Sequence, residues 1–420
     1  MHRRGLSLLA VSCALLGAVP GVLLARRVAD AQRRSPDTRL AQEAARTGAT
    51  ASATPAPRVT SIERPVAGFD PSHARRLGDR YVSELPGDRR AVLTLEPAWQ
   101  RGVSALLAAH QLPRASVVVL DSDTGRVRVY ASHGEPGAPD LARDAAPPAA
   151  SVFKIVTAGA LAANGMSVET ETCFSGGWHR LSLRDLEPNP RRDSDCVSLG
   201  QAFGRSANTV FARRSVERLS PAALLAAAHS WGYGESVPFE ATVSAGQIDM
   251  PSDRLEFARA SAGFWHSHLS PLHGAVIAQG IARGGELQRP WIIDRIEDAQ
   301  GAVVAQHEAP RAWRRAVSHD VASALTRMMA FSVSEGTASR AFRDPHGHPF
   351  LPGVDVGGKT GTLTAATPYR AYTWFVGNAH DSTTRVSFAV MVANDPVWRV
   401  KASTVARQVL QIVYRGRSTD

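Results

Sequence analysis

Apolar positions divide the chain into three stretches. Residues 5–25 form an uncharged, apolar run of 21, with Arg3 and Arg4 before it and Arg26 and Arg27 after it. As a helix that run is long enough to cross the hydrocarbon core of a bilayer. The small-x-small pattern that precedes a signal cleavage is poor at Leu23, Leu24 and Ala25, so the run reads as a retained anchor. Residues 26–90 are rich in Ala, Arg, Pro, Thr and Ser without a sustained apolar period, which reads as a flexible spacer. Folded structure is expected from near Val92, giving a division into 1–27, 28–90 and 91–420.

Within the last stretch the period of the apolar positions changes twice. Ser116–Asp121 and Arg126–Ser132 flank the turn Ser122-Asp123-Thr124-Gly125 and predict a β-hairpin. Residues 150–340 are Ala- and Leu-rich and predict mainly helix. Three β-rich runs follow, Val354–Thr364, Ala371–His380 and Arg385–Asn394, whose short connections make them antiparallel neighbours. Ser403–Tyr414 reads as a closing amphipathic helix. Hairpin and meander together predict an α+β fold with one five-stranded antiparallel sheet and helices on both faces.

Charge changes this picture little. The chain of 420 residues carries a formal +10, but residues 1–90 hold 15 Arg against 8 acidic residues, which leaves +3 on the remainder. The basicity belongs to the tail, and no RNA- or DNA-binding motif accompanies it. The kind of base is more informative. Of 48 basic residues 45 are Arg, and the three lysines are Lys154, Lys359 and Lys401. Lysine offers what arginine cannot, an amine able to lose its proton.

Ser151-Val152-Phe153-Lys154 opens an apolar segment that runs to about Ala163, before Asn164-Gly165. Val152, Phe153, Ile155, Val156, Ala158, Ala160 and Leu161 leave it almost no polar face, so the helix is expected to be buried. Ser151, Lys154 and Thr157 share one side. A serine in a first helical turn gains from the free N–H groups there, and a desolvated amine one turn along can take its proton. Taken alone, the same residues fit a plain N-cap and a snorkelling lysine. Ser206-Ala207-Asn208 falls between two helical runs, where a hydroxyl can relay a proton and an amide can hold a carbonyl, or where either can cap the next helix. Gly357-Gly358-Lys359-Thr360-Gly361-Thr362 places glycine inside a β-rich segment, which suits close approach of a peptide to the strand. Lys359 and the hydroxyls of Thr360 and Thr362 are then available for a carboxylate, although a glycine bulge beside an exposed lysine also fits.

The order SxxK, SxN, KTG at 151, 206 and 359 resembles the transpeptidase domain of penicillin-binding proteins. Leu93-Thr94-Leu95-Glu96 with Trp99-Gln100, the hairpin entry from Val118 to Gly125, Ser270-Pro271-Leu272-His273 leading to Gly284-Gly285, Gly336-Thr337-Ala338 and Trp374-Phe375-Val376-Gly377 extend the likeness over roughly residues 90–420. The resemblance implies Ser151 as the acylated nucleophile, Lys154 as its base, Ser206 as a proton relay and Asn208 as a holder of the peptide. Lys359, Thr360, Gly361 and Thr362 would bind the terminal carboxylate, and the backbone N–H groups of Ser151 and Thr362 would form the oxyanion hole. The implied reaction is attack on a D-alanyl-D-alanine bond, release of D-alanine and transfer of the acyl group to an amine of a neighbouring strand, with β-lactams acylating the same serine. No metal or organic cofactor is implied. The implied partners are peptidoglycan stem peptides, β-lactam antibiotics and the inner membrane through residues 5–25, with the cell-wall synthesis machinery as a further candidate and nucleic acid excluded.

The stretch before the fold is too short for a glycosyltransferase domain, so a monofunctional enzyme is expected. A D,D-carboxypeptidase and a class D-like β-lactamase are the competing enzymes, but class D enzymes carry SxV where this chain has Asn208, and the ExxLN-like stretch of class A is absent after it. A β-lactam sensor or wall-binding scaffold is the non-enzymatic alternative. His266, His268 and His273, and likewise His346 and His348, lack zinc-like spacing and read as surface or loop histidines. Cys173 and Cys196 fit either a bridge, in an oxidising periplasm, or two buried thiols. Cys13 only faintly suggests a lipid-attachment site.

Arginines on both sides of residues 5–25 leave their orientation open, but peptidoglycan lies outside the inner membrane. The expected topology is a cytoplasmic Met1–Arg4, one retained span, and a periplasmic chain from about Arg26. Protease added outside spheroplasts should remove the catalytic domain and leave a small membrane-bound stub. Full protection, or a mature protein starting after Ala25, would contradict this topology.

Overall fold

The computed structural model describes residues 59–415 apart from Glu63, Pro136 and His179. The anchor at 5–25, Cys13 and most of the spacer lie outside the described residues. Among the described residues no helix is long and apolar enough to cross a membrane.

The central sheet has five strands: β1 (Arg114–Asp121), β2 (Val127–His133), β3 (Asp355–Ala366), β4 (Tyr369–His380) and β5 (Arg385–Asn394). Their order is β3-β4-β5-β1-β2, antiparallel throughout. This is the expected hairpin joined to the expected meander. The side-chain period of two sorts β1 into two cores, because Val118 and Leu120 enter one apolar cluster while Ala115, Val117 and Val119 enter the other. β5 does the same with Ala389, Met391 and Ala393 against Phe388, Val390 and Val392. Helices must therefore cover both faces. On one face the cluster takes in α1 (Pro97–Ala109) and α8 (Ala402–Arg415). On the other, Ile155, Val156, Ala158 and Leu161 of α2 (Lys154–Ala163) join the core, with α3 (Leu199–Arg205), α4 (Asn208–Arg218), α5 (Arg254–Ser261), α6 (Pro271–Ala282) and α7 (His319–Ser334) on the same side of the chain's course.

A second sheet differs from the sequence expectation. Thr60–Ser61, Val303–Gln306, Ile293–Glu297, Arg89–Leu93, Arg80–Leu85 and Arg75–Leu77 pair in that order, all antiparallel except the first pair. Folded structure is thus already present before Val92, and the second half of the spacer expected through residue 90 is a set of strands. The cause is local. Strands of three to six residues end at Gly78 and Gly87, both at positive φ, and bury Val82, Leu85, Ala91, Val92 and Leu93 among arginines. Such short, Arg-bearing segments show no sustained apolar run. The middle of the chain, expected to be mainly helical, supplies two strands of this sheet.

Glu171–Phe174 and Asp195–Ser198 form a separate antiparallel pair in which Cys173 lies opposite Cys196, and the two are bridged by a disulfide. The alternative of two free thiols is thereby set aside.

β3 and β4 approach closely where both carry glycine, with Gly358 opposite Gly377. A Cβ on Gly377 would lie 2.2 Å from the Gly357 carbonyl oxygen and 2.9 Å from Gly358 Cα. Backbone on both sides cannot yield as a side-chain tip can. Gly377→Ala is expected to cost about 1–3 kcal/mol and to lower the melting temperature by several degrees. An unchanged melting temperature would show that the two strands can separate without loss.

Candidate active site

Ser151 lies in a single 3₁₀ turn, Ala150–Phe153, that runs directly into α2. Two neighbours fix this entry. The Trp374 indole of β4 donates to the Pro148 carbonyl at 2.9 Å, and the Ala149 N–H donates to Ser267 O at 2.8 Å. Ala150 has φ 52°, a conformation uncommon for a residue with a side chain. Gly263 packs against the turn so tightly that a Cβ there would be 2.4 Å from Ala150 O and 3.0 Å from Ser151 Cα. The turn that presents Ser151 is thus clamped from the sheet and from the segment after α5.

Lys154 is fully buried one turn on. Its Nζ is 2.9 Å from Ser151 Oγ, 2.7 Å from Asn208 Oδ1 and 2.6 Å from Ala262 O. Burial holds the amine well below the usual lysine range, and the nearby charge of Lys359 adds to the effect. The partner set then decides where the lone pair points. Asn208 Oδ1 and Ala262 O are acceptors only, so a neutral amine gives its two hydrogens to them. What remains, the lone pair, faces Ser151 Oγ and can accept the hydroxyl proton. Asn208 is oriented for this by its other end, since Nδ2 donates to Trp178 O at 2.7 Å.

Ser206 and Asn208 sit where α3 meets α4. Ser206 caps α3 in the left-handed conformation, φ 59°, and Asn208 opens α4 after Ala207. Gly204, one turn back in α3, lies against Phe331 and Gly336, and Thr337 Oγ1 donates to its carbonyl at 3.2 Å. The segment between the two helical runs is therefore a tight helix-to-helix junction, with the Asn208 side chain anchored to the Trp178 carbonyl and Ser206 Oγ accepting from Lys359.

β3 is the edge strand of the central sheet and passes beside the serine turn. A Cβ on Gly361 would be 3.2 Å from both Ala149 O and Ala150 Cβ. Lys359 points inward, fully buried, and donates to Ser206 Oγ at 3.0 Å and to Thr360 O at 2.9 Å. Its amine also lies 5.5 Å from the centre of the Phe203 ring. Burial pushes Lys359 down to about 7. The picture of an exposed lysine beside a glycine bulge is corrected: the lysine is core. Thr360 shares a hydroxyl hydrogen bond with Thr337, while Thr362 is exposed on the same strand.

The structure thus joins Ser151, Lys154 and Asn208 in one hydrogen-bonded group and Ser206 with Lys359 in a second. Sequence reasoning missed Ala262 and Trp178, which contribute carbonyl oxygens and so leave no side-chain signature. Thr337 was visible within Gly336-Thr337-Ala338. The histidine reading needs one correction, because His273 is buried within α6, its Nε2 lies 2.8 Å from Trp231 O, and burial pushes it down to about 4. α6 has core on all sides, so a residue on it cannot reach the surface. Glu171, Cys173 and Cys196 form the one metal-competent cluster among the described residues, and both thiols are consumed by the disulfide.

Residues 115–414 match the model of the penicillin binding protein transpeptidase domain. The chain belongs to that family. Its relatives include the peptidoglycan D,D-transpeptidase PbpA of Mycobacterium tuberculosis, 26% identical over 384 residues that cover 81% of this chain and 76% of the relative. Among solved structures, the D,D-transpeptidase domain of a peptidoglycan glycosyltransferase from Eggerthella lenta superposes with a TM-score of 0.63 at 24% identity, covering 78% of this chain and 83% of that one. Penicillin-binding protein A of M. tuberculosis, solved as an imipenem acyl-enzyme, gives 0.62 at 24% identity, covering 76% and 78%. Both confirm the α+β fold.

The two depressed lysines set a pH dependence. If Lys154 is the base for acylation it must be neutral, and the rate then rises with pH through that group's lowered range. If Lys359 holds a substrate carboxylate it must be charged, and binding then fades as pH rises through about 7. A bell-shaped kcat/KM is expected for a carboxylate-bearing donor. Lys359→Arg, whose guanidinium does not titrate, should remove the alkaline limb while keeping part of the activity. An alkaline limb unchanged in that variant would contradict the assignment.

Proposed function

We propose that this chain is a monofunctional peptidoglycan D,D-transpeptidase that cross-links stem peptides through an acyl-enzyme on Ser151. The observation that carries the reading is the Lys154 amine, desolvated and 2.9 Å from Ser151 Oγ, with its other two partners both acceptors. Family membership and the likeness to a D,D-transpeptidase over most of both chains support it.

In the proposed reaction Ser151 Oγ attacks the carbonyl of the D-alanyl-D-alanine bond as its proton passes to Lys154. The oxyanion is held by the backbone N–H groups of Ser151 and Thr362, the second supplied by the edge strand β3. Collapse of the tetrahedral intermediate breaks the C–N bond, and the leaving D-alanine amine takes a proton through Ser206. Lys359, with Thr360, Gly361 and Thr362 along the same strand, holds the terminal carboxylate, and Asn208 orients the peptide. An amine of a neighbouring stem peptide then attacks the ester, returning Ser151. Penicillin follows the first half of this course and stops at the acyl-enzyme. The membrane tether at residues 5–25 and the periplasmic location belong to the same proposal.

Incubation with a fluorescent penicillin followed by peptide mapping should give a long-lived adduct at Ser151. Rapid release of hydrolysed drug would instead identify a β-lactamase, and absence of labelling would overturn the enzymatic reading in favour of a scaffold. Lys154→Arg keeps the charge but removes the base, so acylation should fall by roughly 10²–10⁴-fold in a folded protein. Near-parent acylation would make Lys154 purely electrostatic. A stem-peptide donor with and without an added amine acceptor separates transpeptidase from carboxypeptidase, the former giving cross-linked product.

A further inference from the structure

Arg213 lies on α4, five residues beyond Asn208, and is buried. All five of its N–H hydrogens are accounted for. Nε donates to Asp185 O at 2.6 Å. Nη1 donates to Cys173 O at 3.0 Å and Asp193 Oδ2 at 2.7 Å. Nη2 donates to Glu187 O at 3.2 Å and Asp193 Oδ1 at 3.3 Å. Every acceptor belongs to the segment from Cys173 to Asp193, the span that the Cys173–Cys196 disulfide closes. Asp193 is itself tied into that segment, accepting from Asn189 N at 2.8 Å and Ser175 Oγ at 3.1 Å. The guanidinium is thus the organising centre of a loop with no long element of its own.

The same loop reaches the catalytic group. Trp178 O accepts from Asn208 Nδ2, and Gly176 O accepts from Thr209 Oγ1 at 3.1 Å. Gly177, at φ 70°, lies so flat on the start of α4 that a Cβ would sit 1.8 Å from Thr209 Oγ1. The Trp178 carbonyl is what makes the Asn208 amide present oxygen to Lys154. Were the amide reversed, its NH₂ would face Nζ, and a neutral amine could accept from it only with the lone pair that otherwise serves Ser151.

We infer that Arg213 is a positioning residue for acylation: by gathering the 173–193 loop it holds the Trp178 carbonyl against Asn208, and thereby aims the Lys154 lone pair at Ser151. Arg213 touches no reacting atom. The inference rests on the proposed role of Ser151 and Lys154 and adds to it a loop on which their geometry depends. A lysine at 213 keeps the charge but offers three hydrogens from one point, and cannot span five acceptors.

The test is a double-mutant cycle on the rate of penicillin acylation per titrated active site, in the full chain. Arg213→Lys should slow acylation about tenfold, in the range of coupling within one hydrogen-bond network. In an Asn208→Ala background the same change should cost nothing further, because the amide through which it acts is gone. A merely structural role lowers melting temperature and active fraction but leaves the rate per active site unchanged in both backgrounds. Asp193→Asn, which keeps the shape of the partner, serves if Arg213→Lys fails to fold, and its effect should likewise vanish without Asn208. Equal losses in both backgrounds, or no loss in either, would overturn the inference. Failure of the parent protein to acylate would instead strike the proposed function and is read separately.

Discussion

The site depends on one amine being kept from water. Lys154 is enclosed by an α2 that is buried from Lys154 to Leu161, and the only polar company it has among its hydrogen-bond partners is a hydroxyl, an amide oxygen and a backbone carbonyl. An ammonium there loses most of its hydration, which favours the neutral form. The two obligate acceptors then leave a single direction for the lone pair. Burial and the nearby charge of Lys359 set the charge state, and the three neighbours set the orientation.

The surrounding fold can be understood as the means of holding those neighbours. Asn208 is set by the sharp α3–α4 junction, where Ser206 accepts the left-handed conformation and Gly204 allows Phe331 and Gly336 to close in. Ala262 ends α5, and Gly263 after it permits contact with the backbone of Ser151. From the other side the edge strand β3 brings Gly361 against Ala149 and Ala150, with Trp374 of β4 hydrogen-bonded to Pro148. Lys359 is the second buried amine, and repulsion between the two makes it harder for both to be charged together. The proposed division of roles, one lysine as base and the other as cation, would benefit from that coupling.

Much of this was legible in the sequence, for reasons that differ by element. The central sheet was readable because its strands are long and apolar on both faces, and α2 because nearly every position in it is apolar. Ser151 and Lys154 stood out because lysine is so scarce in a chain that otherwise uses arginine. The second sheet was not readable, since strands such as Arg75–Leu77 and Arg80–Leu85 are short and hold only a few apolar residues beside charged ones. The contributions of Ala262 and Trp178 were invisible in principle, as every residue has a carbonyl and only the fold selects which ones matter. The alternative of an exposed Lys359 stayed open in the sequence because a Gly-rich strand gives no indication that its lysine turns inward onto Phe203 and Ser206.

The scarcity of lysine also makes the central claim directly measurable. With three lysines in the chain, protein labelled with ¹⁵N and ¹³C at lysine should show three side-chain amine signals, assigned by single Lys→Arg variants and followed against pH. Two of them, from Lys154 and Lys359, are expected to titrate well below the free-lysine value of about 10.4, with Lys359 near 7. Titration of the Lys154 signal in the ordinary lysine range would show that its amine stays charged at neutral pH, and would contradict its role as the base for Ser151.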